Sequence, residues 1–130
     1  MHACRVLLAF VAIGLAPGCR SGEPVRVTTI QLGRSLNPDN TVGTHTTRFK
    51  PDDTIYTSVL TTGDGRARIG VRWLYAGRVV SEPTKDVSYK GDGATEFHIQ
   101  NSGGFPPGDY VVEILLDGKP AGSRNFRVEK

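Results

Sequence analysis

The sequence has few of the residues on which disulfide-stabilised and metal-dependent proteins rely. Its 130 residues include two cysteines, one methionine and one tryptophan. Cys4 falls in an apolar amino-terminal stretch that we expect to be removed, which leaves Cys19 alone. A single cysteine excludes an intramolecular disulfide and a cysteine-ligated metal site. The domain must therefore be held together by its apolar core.

Local concentrations of one charge are also lacking. The chain has 16 basic and 13 acidic residues, a formal net charge of +3, and no run of five or six like charges. A nucleic-acid-binding protein concentrates positive charge on one face or helix. Four arginines between positions 66 and 78 come closest, but their even spacing is typical of a solvated strand face. We expect no nucleic-acid partner, with contact to anionic lipid as the alternative use of these arginines.

Long hydrophobic runs are absent as well. The longest, residues 6–16, is about half of the ~20 residues that a membrane-spanning helix needs. It follows Arg5 and stops at Pro17-Gly18-Cys19. A positive start, a short apolar centre and a small-residue end form the pattern of a secretory signal peptide.

The end of this segment indicates how it is cut. A cut after Ala16 would leave Pro17 beside it, where the fixed φ and missing N–H of proline are unfavourable. The segment Leu15-Ala16-Pro17-Gly18-Cys19 instead resembles the lipobox of bacterial lipoproteins. The resemblance implies cleavage before Cys19 and acylation of that residue, and two or more acyl chains anchor a protein stably. A plain secreted protein with a stray cysteine is the alternative.

This resemblance divides the chain into three parts. Residues 1–18 are the signal peptide, 19–24 a polar tether, and 25–130 the folded domain. Arg20 stands where the enteric sorting rule requires Asp to retain a lipoprotein at the inner membrane. The resemblance thus implies an outer-membrane lipoprotein that faces the periplasm and contacts membrane lipid through acylated Cys19.

Helix signals are scarce in the domain, whereas strand signals are abundant. Most of the chain's 16 glycines and 8 prolines lie in the domain, where they separate short β-branched and aromatic runs. We expect a hairpin of 86–89 with 95–99, and a two-residue hairpin turn at Asp117-Gly118 before a last strand through Phe126 and Val128. About seven short strands predict an all-β sandwich, with an open barrel as the alternative. The other predicted strands are 25–32, 44–49, 54–61, 67–80 and 110–116.

Two features resemble the immunoglobulin-like sandwich. Pro107-Gly108-Asp109-Tyr110 is similar to its tyrosine corner, and Trp73 stands where such domains place a core tryptophan. Val59 and Val112 occupy the positions of the usual disulfide. The resemblance implies a disulfide-free immunoglobulin-like domain over residues 25–130.

Catalytic motifs are missing from the sequence. His45 lies in a polar loop and His98 on an outward strand face, and neither belongs to a nucleophile motif. Asp52 and Asp53 are adjacent, so along a strand they point to opposite faces and cannot share acid–base work. We expect no enzyme and no cofactor. A glycan hydrolase using two carboxylates is the enzymatic alternative.

Three Asp-Gly loops suggest a further alternative. In an immunoglobulin-like topology Asp64, Asp92 and Asp117 would lie at one end of the sandwich and could bind Ca²⁺ through carboxylate oxygens. The simpler interpretation is turn chemistry, and we assign no metal site. A small-ligand or cation carrier remains the second functional hypothesis.

The leading hypothesis is a non-catalytic module that binds an envelope protein or polymer. Its candidate contact surfaces are Phe105-Pro106-Pro107 and the long connection 33–51, because long loops on rigid scaffolds often bind partners. Phe105 is equally compatible with a buried plug. Since the tether spans at most ~20 Å, we expect Arg66 and Arg68 to face the membrane.

Overall fold

A computed structural model describes residues 22–130, so the predicted signal peptide and Cys19 lie outside the described residues. The described part is all-β, and no helix in it is long and apolar enough to cross a membrane. Its nine strands are β1 (Arg26–Gly33), β2 (Arg48–Phe49), β3 (Ile55–Thr62), β4 (Asp64–Tyr75), β5 (Arg78–Ser81), β6 (Thr84–Lys90), β7 (Gly93–Ile99), β8 (Gly108–Leu116) and β9 (Lys119–Val128).

The strands form two sheets. The smaller has the order β1-β3-β7, and the larger β2-β9-β8-β4-β5, with β6 beside the first half of β4. Pairing is antiparallel except between β2 and β9, which run parallel. No ladder joins the two sheets in residues 22–130. This arrangement is typical of a sandwich and not of a single barrel.

One core lies between the sheets, because apolar residues alternate along the strands that face it. Each such side chain contributes about 1.5–3 kcal/mol by burial. Trp73 is 0% exposed and meets the ring of Phe126 edge-on, with centroids 6.1 Å apart. The fully buried aliphatic members from both sheets are Leu32, Ile55, Val59, Ile69, Val71, Val112, Ile114 and Val128.

The strand predicted over 67–80 is two strands. The chain reverses at Ala76 and Gly77, whose φ angles are 50° and 81°, and β5 folds back on β4. The sequence pattern did not predict this turn, because alanine rarely adopts the positive φ that Ala76 has here. The prediction of one long strand is therefore wrong.

The hairpin predicted between 86–89 and 95–99 is also wrong. β6 pairs with β4 in the larger sheet, whereas β7 pairs with β3 in the smaller one. The segment between them crosses from sheet to sheet. Gly93 permits the crossing, because a Cβ there would lie 2.5 Å from the ring of Tyr89.

The hairpin turn predicted at Asp117-Gly118 is confirmed. Their φ angles of 52° and 84° are those of a type I′ turn, which joins β8 to β9. Of the edge strand predicted over 44–49, the structure retains Arg48–Phe49, which runs beside β9.

Tyr110 makes the backbone hydrogen bond that its strand-entry motif predicts. The Tyr110 hydroxyl donates to the Pro106 carbonyl at 2.7 Å, and its ring stacks on Phe126 with centroids 5.1 Å apart. Burial raises the pKa of Tyr110 to about 12. The hydroxyl thus links the strand entry to the preceding loop.

We expect Tyr110→Phe to lower the free energy of unfolding by about 1 kcal/mol at pH 7, since one intramolecular hydrogen bond is lost. Because the folded pKa lies above the unfolded value near 10, the stabilising contribution is complete below pH 10. It disappears as the pH rises through about 12. Urea unfolding at pH 7 and pH 11 measures both effects. If the free energy of unfolding fell equally between pH 7 and pH 11 in the wild-type and Tyr110→Phe proteins, the predicted pH dependence would be contradicted.

Candidate functional site

The two histidines outside the signal segment lie on the surface. His45 is exposed and forms an isolated bridge with Gly33. His98 is exposed on β7, with its Nδ1 atom 3.1 Å from a Glu96 carboxylate oxygen and its ring 5.4 Å from that of Tyr56. These contacts form a solvated polar cluster on the outer face of the smaller sheet.

The acidic pair before β3 serves a turn. The Asp53 carboxylate accepts the Lys50 backbone N–H at 2.7 Å and the Arg34 side chain at 3.2 Å. Asp52 is exposed to solvent. The two carboxyl groups therefore have different surroundings, as their positions at a strand entry predict.

The three Asp-Gly loops do not form one site. Asp64 accepts the Gly91 N–H at 2.7 Å, and Asp117 accepts the Arg68 N–H at 2.8 Å. Arg68 lies four residues beyond Asp64 on β4, so the two carboxylates are about 13 Å apart at 3.3 Å per residue. Asp92 is exposed in the loop beside Asp64 and lines a shallow groove that Asp64 does not line. Within residues 22–130 no three His, Cys, Asp or Glu side chains gather around a common point.

Because the Asp64 and Asp117 carboxylates already accept backbone N–H groups, we expect millimolar Ca²⁺ to leave the melting temperature unchanged. A bound cation would stabilise the folded state by mass action. Differential scanning calorimetry of the whole chain with Ca²⁺ and with Mg²⁺ measures this. A rise of several degrees specific to Ca²⁺ would reinstate the cation site.

Arg66 and Arg68 lie at the end of the domain where the tether enters. Glu23 accepts the Asp64 N–H through its backbone carbonyl at 2.8 Å, just before these arginines. Both arginines are exposed. Arg68 forms an ion pair with Asp86 at 2.8 Å, and this contact lowers the pKa of the Asp86 carboxyl. The arginine pair therefore lies near the tether, and its orientation toward the membrane stays a prediction.

Phe105 is a core residue. It is 7% exposed, its N–H donates to the Pro51 carbonyl at 2.8 Å, and its ring meets Tyr110 edge-on. Of the two roles that the sequence left open for Phe105, this burial matches the plug, and the residue also lines the groove described below. Pro106 and Pro107 remain exposed.

The long connection after β1 is a folded cover. Leu36 bridges Val42, and the buried Val42 donates its N–H to the Gln31 side chain at 2.9 Å. Gln31 pairs with Ser58 on β3, and Ser58 is fully buried. The connection thus packs on the outer face of the smaller sheet. The sequence pattern did not predict this packing.

The candidate site is a groove at the opposite end from the tether, between β5 of the larger sheet and β7 of the smaller one. Its volume is about 570 Å³. Val80 is 56% exposed at its rim, and Val79 is 45% exposed beside it. The sequence indicated Phe105 and Pro106 of its lining but not the groove itself, because its walls come from separate segments of the chain. Its apolar lining residues are Tyr75, Val80, Ile99, Phe105, Pro106 and Tyr110.

No protein-family model matches the chain, and no curated protein matches it in sequence. Solved structures share its fold. One is the alkylpurine DNA glycosylase AlkC of Pseudomonas fluorescens bound to DNA with an abasic-site analogue, with a TM-score of 0.50 and 16% identity over 82% of this chain. Another is the β-glucosidase of Listeria innocua in complex with glucose, with a TM-score of 0.54 and 10% identity over 85% of this chain.

These likenesses cover a small part of the larger proteins. This chain spans 30% of the glycosylase and 16% of the glucosidase. At such low identity the similarity shows the fold alone, and functions of the larger proteins do not transfer with it.

Proposed function

We propose that this chain is a lipid-anchored lipoprotein of the bacterial cell envelope, whose domain 25–130 is a non-catalytic immunoglobulin-like module that binds an envelope protein or polymer. The observation that carries the proposal is that the tether and the groove lie at opposite ends of the domain. The tether enters beside Asp64 at the start of β4, and the groove lies beside Tyr75 at its end. Eleven residue steps at ~3.3 Å separate these ends by about 36 Å.

Several contacts support the immunoglobulin-like assignment. Trp73 is fully buried on β4, and Tyr110 makes the corner hydrogen bond. Val59 and Val112 are fully buried in opposite sheets, at the positions of the usual disulfide. β6 departs from the constant-type pattern, because it pairs with the larger sheet through β4.

The non-catalytic part rests on the chemistry of the groove. Its lining combines aromatic and aliphatic side chains with Ser81, His98, Gln100 and Asn101, and the hydroxyls of Tyr75 and Tyr110 donate to the backbone carbonyls of Pro107 and Pro106. Among residues 22–130 the His98 ring has Glu96, and not Ser81, as its hydrogen-bond partner, so the groove shows no hydrogen-bonded nucleophile–base pair. It is suited to recognition.

Crosslinking in intact bacteria, followed by mass spectrometry of the adducts and of the amino terminus, tests the proposal. We expect an acylated Cys19 at the amino terminus and a reproducible envelope-component adduct that maps to the groove end. An unmodified amino terminus at another residue would exclude the anchor. Adducts scattered over all faces would exclude a dedicated binding surface.

A further inference from the structure

The free edge of β7 is protected along most of its length. β7 pairs with β3 on one side, and on the other the Ala94 carbonyl accepts the Asn40 side chain at 3.4 Å. The Glu96 carbonyl accepts the Lys85 ammonium at 2.5 Å. Such capping blocks the pairing of an exposed edge with another chain.

The protection stops at His98. Backbone groups of alternate residues point the same way along a strand, so His98 follows Ala94 and Glu96 in facing away from β3. Among the described residues, no side chain or backbone group outside the β3–β7 ladder donates a hydrogen bond to its outward C=O. This open edge, His98–Gln100, forms one wall of the groove.

The opposite wall is the edge strand β5. Val79 pairs with Leu74 and Ser81 with Trp73, which leaves Val80 as an unpaired bulge residue. The Val80 side chain lines the groove, whereas Val79 does not. The two neighbouring valines therefore present apolar surface on different faces of the same edge strand.

Charge at the groove mouth adds a second element of recognition. Arg78 is exposed and pairs with the groove-lining Tyr75, so it shares the sheet face of Tyr75 beside the groove. Among residues 22–130, no carboxylate lies within 4 Å of the Arg78 guanidinium. An acidic group on a ligand would complement it.

From these observations we propose that the groove binds an extended peptide segment of a partner protein, which adds to β7 as a strand at His98–Gln100. This deepens the proposed interaction function and rests on it. A strand added at that edge directs alternate side chains between the sheets, so apolar residues enter the groove and a neighbouring acidic residue meets Arg78. Backbone pairing supplies affinity, and the groove supplies specificity.

The test titrates the whole chain in detergent micelles with a labelled nine-residue peptide of alternating threonine and valine that ends in aspartate. We expect saturable binding by fluorescence anisotropy and slower hydrogen exchange at residues 98–100. Val80→Asp should weaken binding about tenfold or more, whereas the matched variant Val79→Asp should change it less than about twofold. Neither exposed position is part of the core.

Two further peptides separate the contributions. N-methylation of alternate amides removes the donors needed for strand pairing and should abolish binding. Replacing the terminal aspartate with asparagine amide should weaken binding in the wild type and not in Arg78→Gln. Equal binding of the N-methylated peptide, or equal effects of the two valine variants, would overturn the proposal.

A second copy of the chain is the competing occupant. Concentration-dependent dimerisation that Val80→Asp abolishes, together with no peptide binding, would assign the groove to self-association and overturn the proposal. Peptide binding is measured on purified protein and acylation on cell material. Failure of the anchor and failure of the groove are therefore distinguishable.

Discussion

Trp73→Ala is expected to lower the free energy of unfolding by about 3–5 kcal/mol, because the substitution leaves a cavity in the centre of the core. The indole is 0% exposed and lies between the sheets against Phe126. A loss of this size is a large part of the 5–15 kcal/mol that stabilises a typical domain. Urea unfolding of the whole chain, followed by circular dichroism, measures it.

Trp73→Phe provides the matched comparison. Within the described residues the Trp73 Nε1 atom is buried without a hydrogen-bond partner. Phenylalanine keeps most of the packing and removes this unpaired donor, which carries a desolvation cost. We expect it to destabilise by less than about half as much as Ala. A Phe variant as unstable as the Ala variant would show that the indole nitrogen has a stabilising partner after all.

Cys19→Ala is expected to abolish acylation completely, since the thiol of that residue is the proposed attachment point for lipid. Cells grown with an alkyne-tagged palmitate analogue should label the wild-type chain and leave the variant unlabelled. Loss of lipid also removes a contribution of about 0.8 kcal/mol per buried CH₂ to membrane binding. Washed membranes should therefore retain wild-type protein through its acyl chains.

Cys4→Ala is the control for this experiment. Cys4 lies in the predicted signal peptide, before the apolar run, so its replacement should leave labelling unchanged. Label that persists in Cys19→Ala, or disappears in Cys4→Ala, would contradict the lipobox assignment. Both positions precede the residues that the structure describes.

The proposed anchor and the groove together set how far from the membrane the groove would lie. The tether 19–24 spans at most ~20 Å, and β4 places the groove about 36 Å beyond the point where the tether meets Asp64. With β4 along the membrane normal, the groove lies up to about 55 Å from the bilayer surface. A partner segment would then be captured away from the lipid headgroups.

Local sequence was sufficient for features that depend on neighbouring residues. Asp117-Gly118 predicted its hairpin because both residues tolerate positive φ. The predicted strand over 110–116 corresponds to β8, in which the alternating residues Tyr110, Val112 and Ile114 are buried. The corner hydrogen bond of Tyr110 joins residues four apart, so a short motif was enough to anticipate it.

Only the tertiary structure decided which strands pair and what their edges enclose. The glycines around Asp92 predict a chain reversal, but they do not predict that β6 and β7 belong to different sheets. That choice depends on burying Phe97 in the shared core. Phe105 is likewise held by a residue distant in sequence, because its N–H donates to the Pro51 carbonyl. The groove forms where segments distant in sequence lie side by side at two strand edges. A local sequence pattern cannot predict which distant segments will be neighbours.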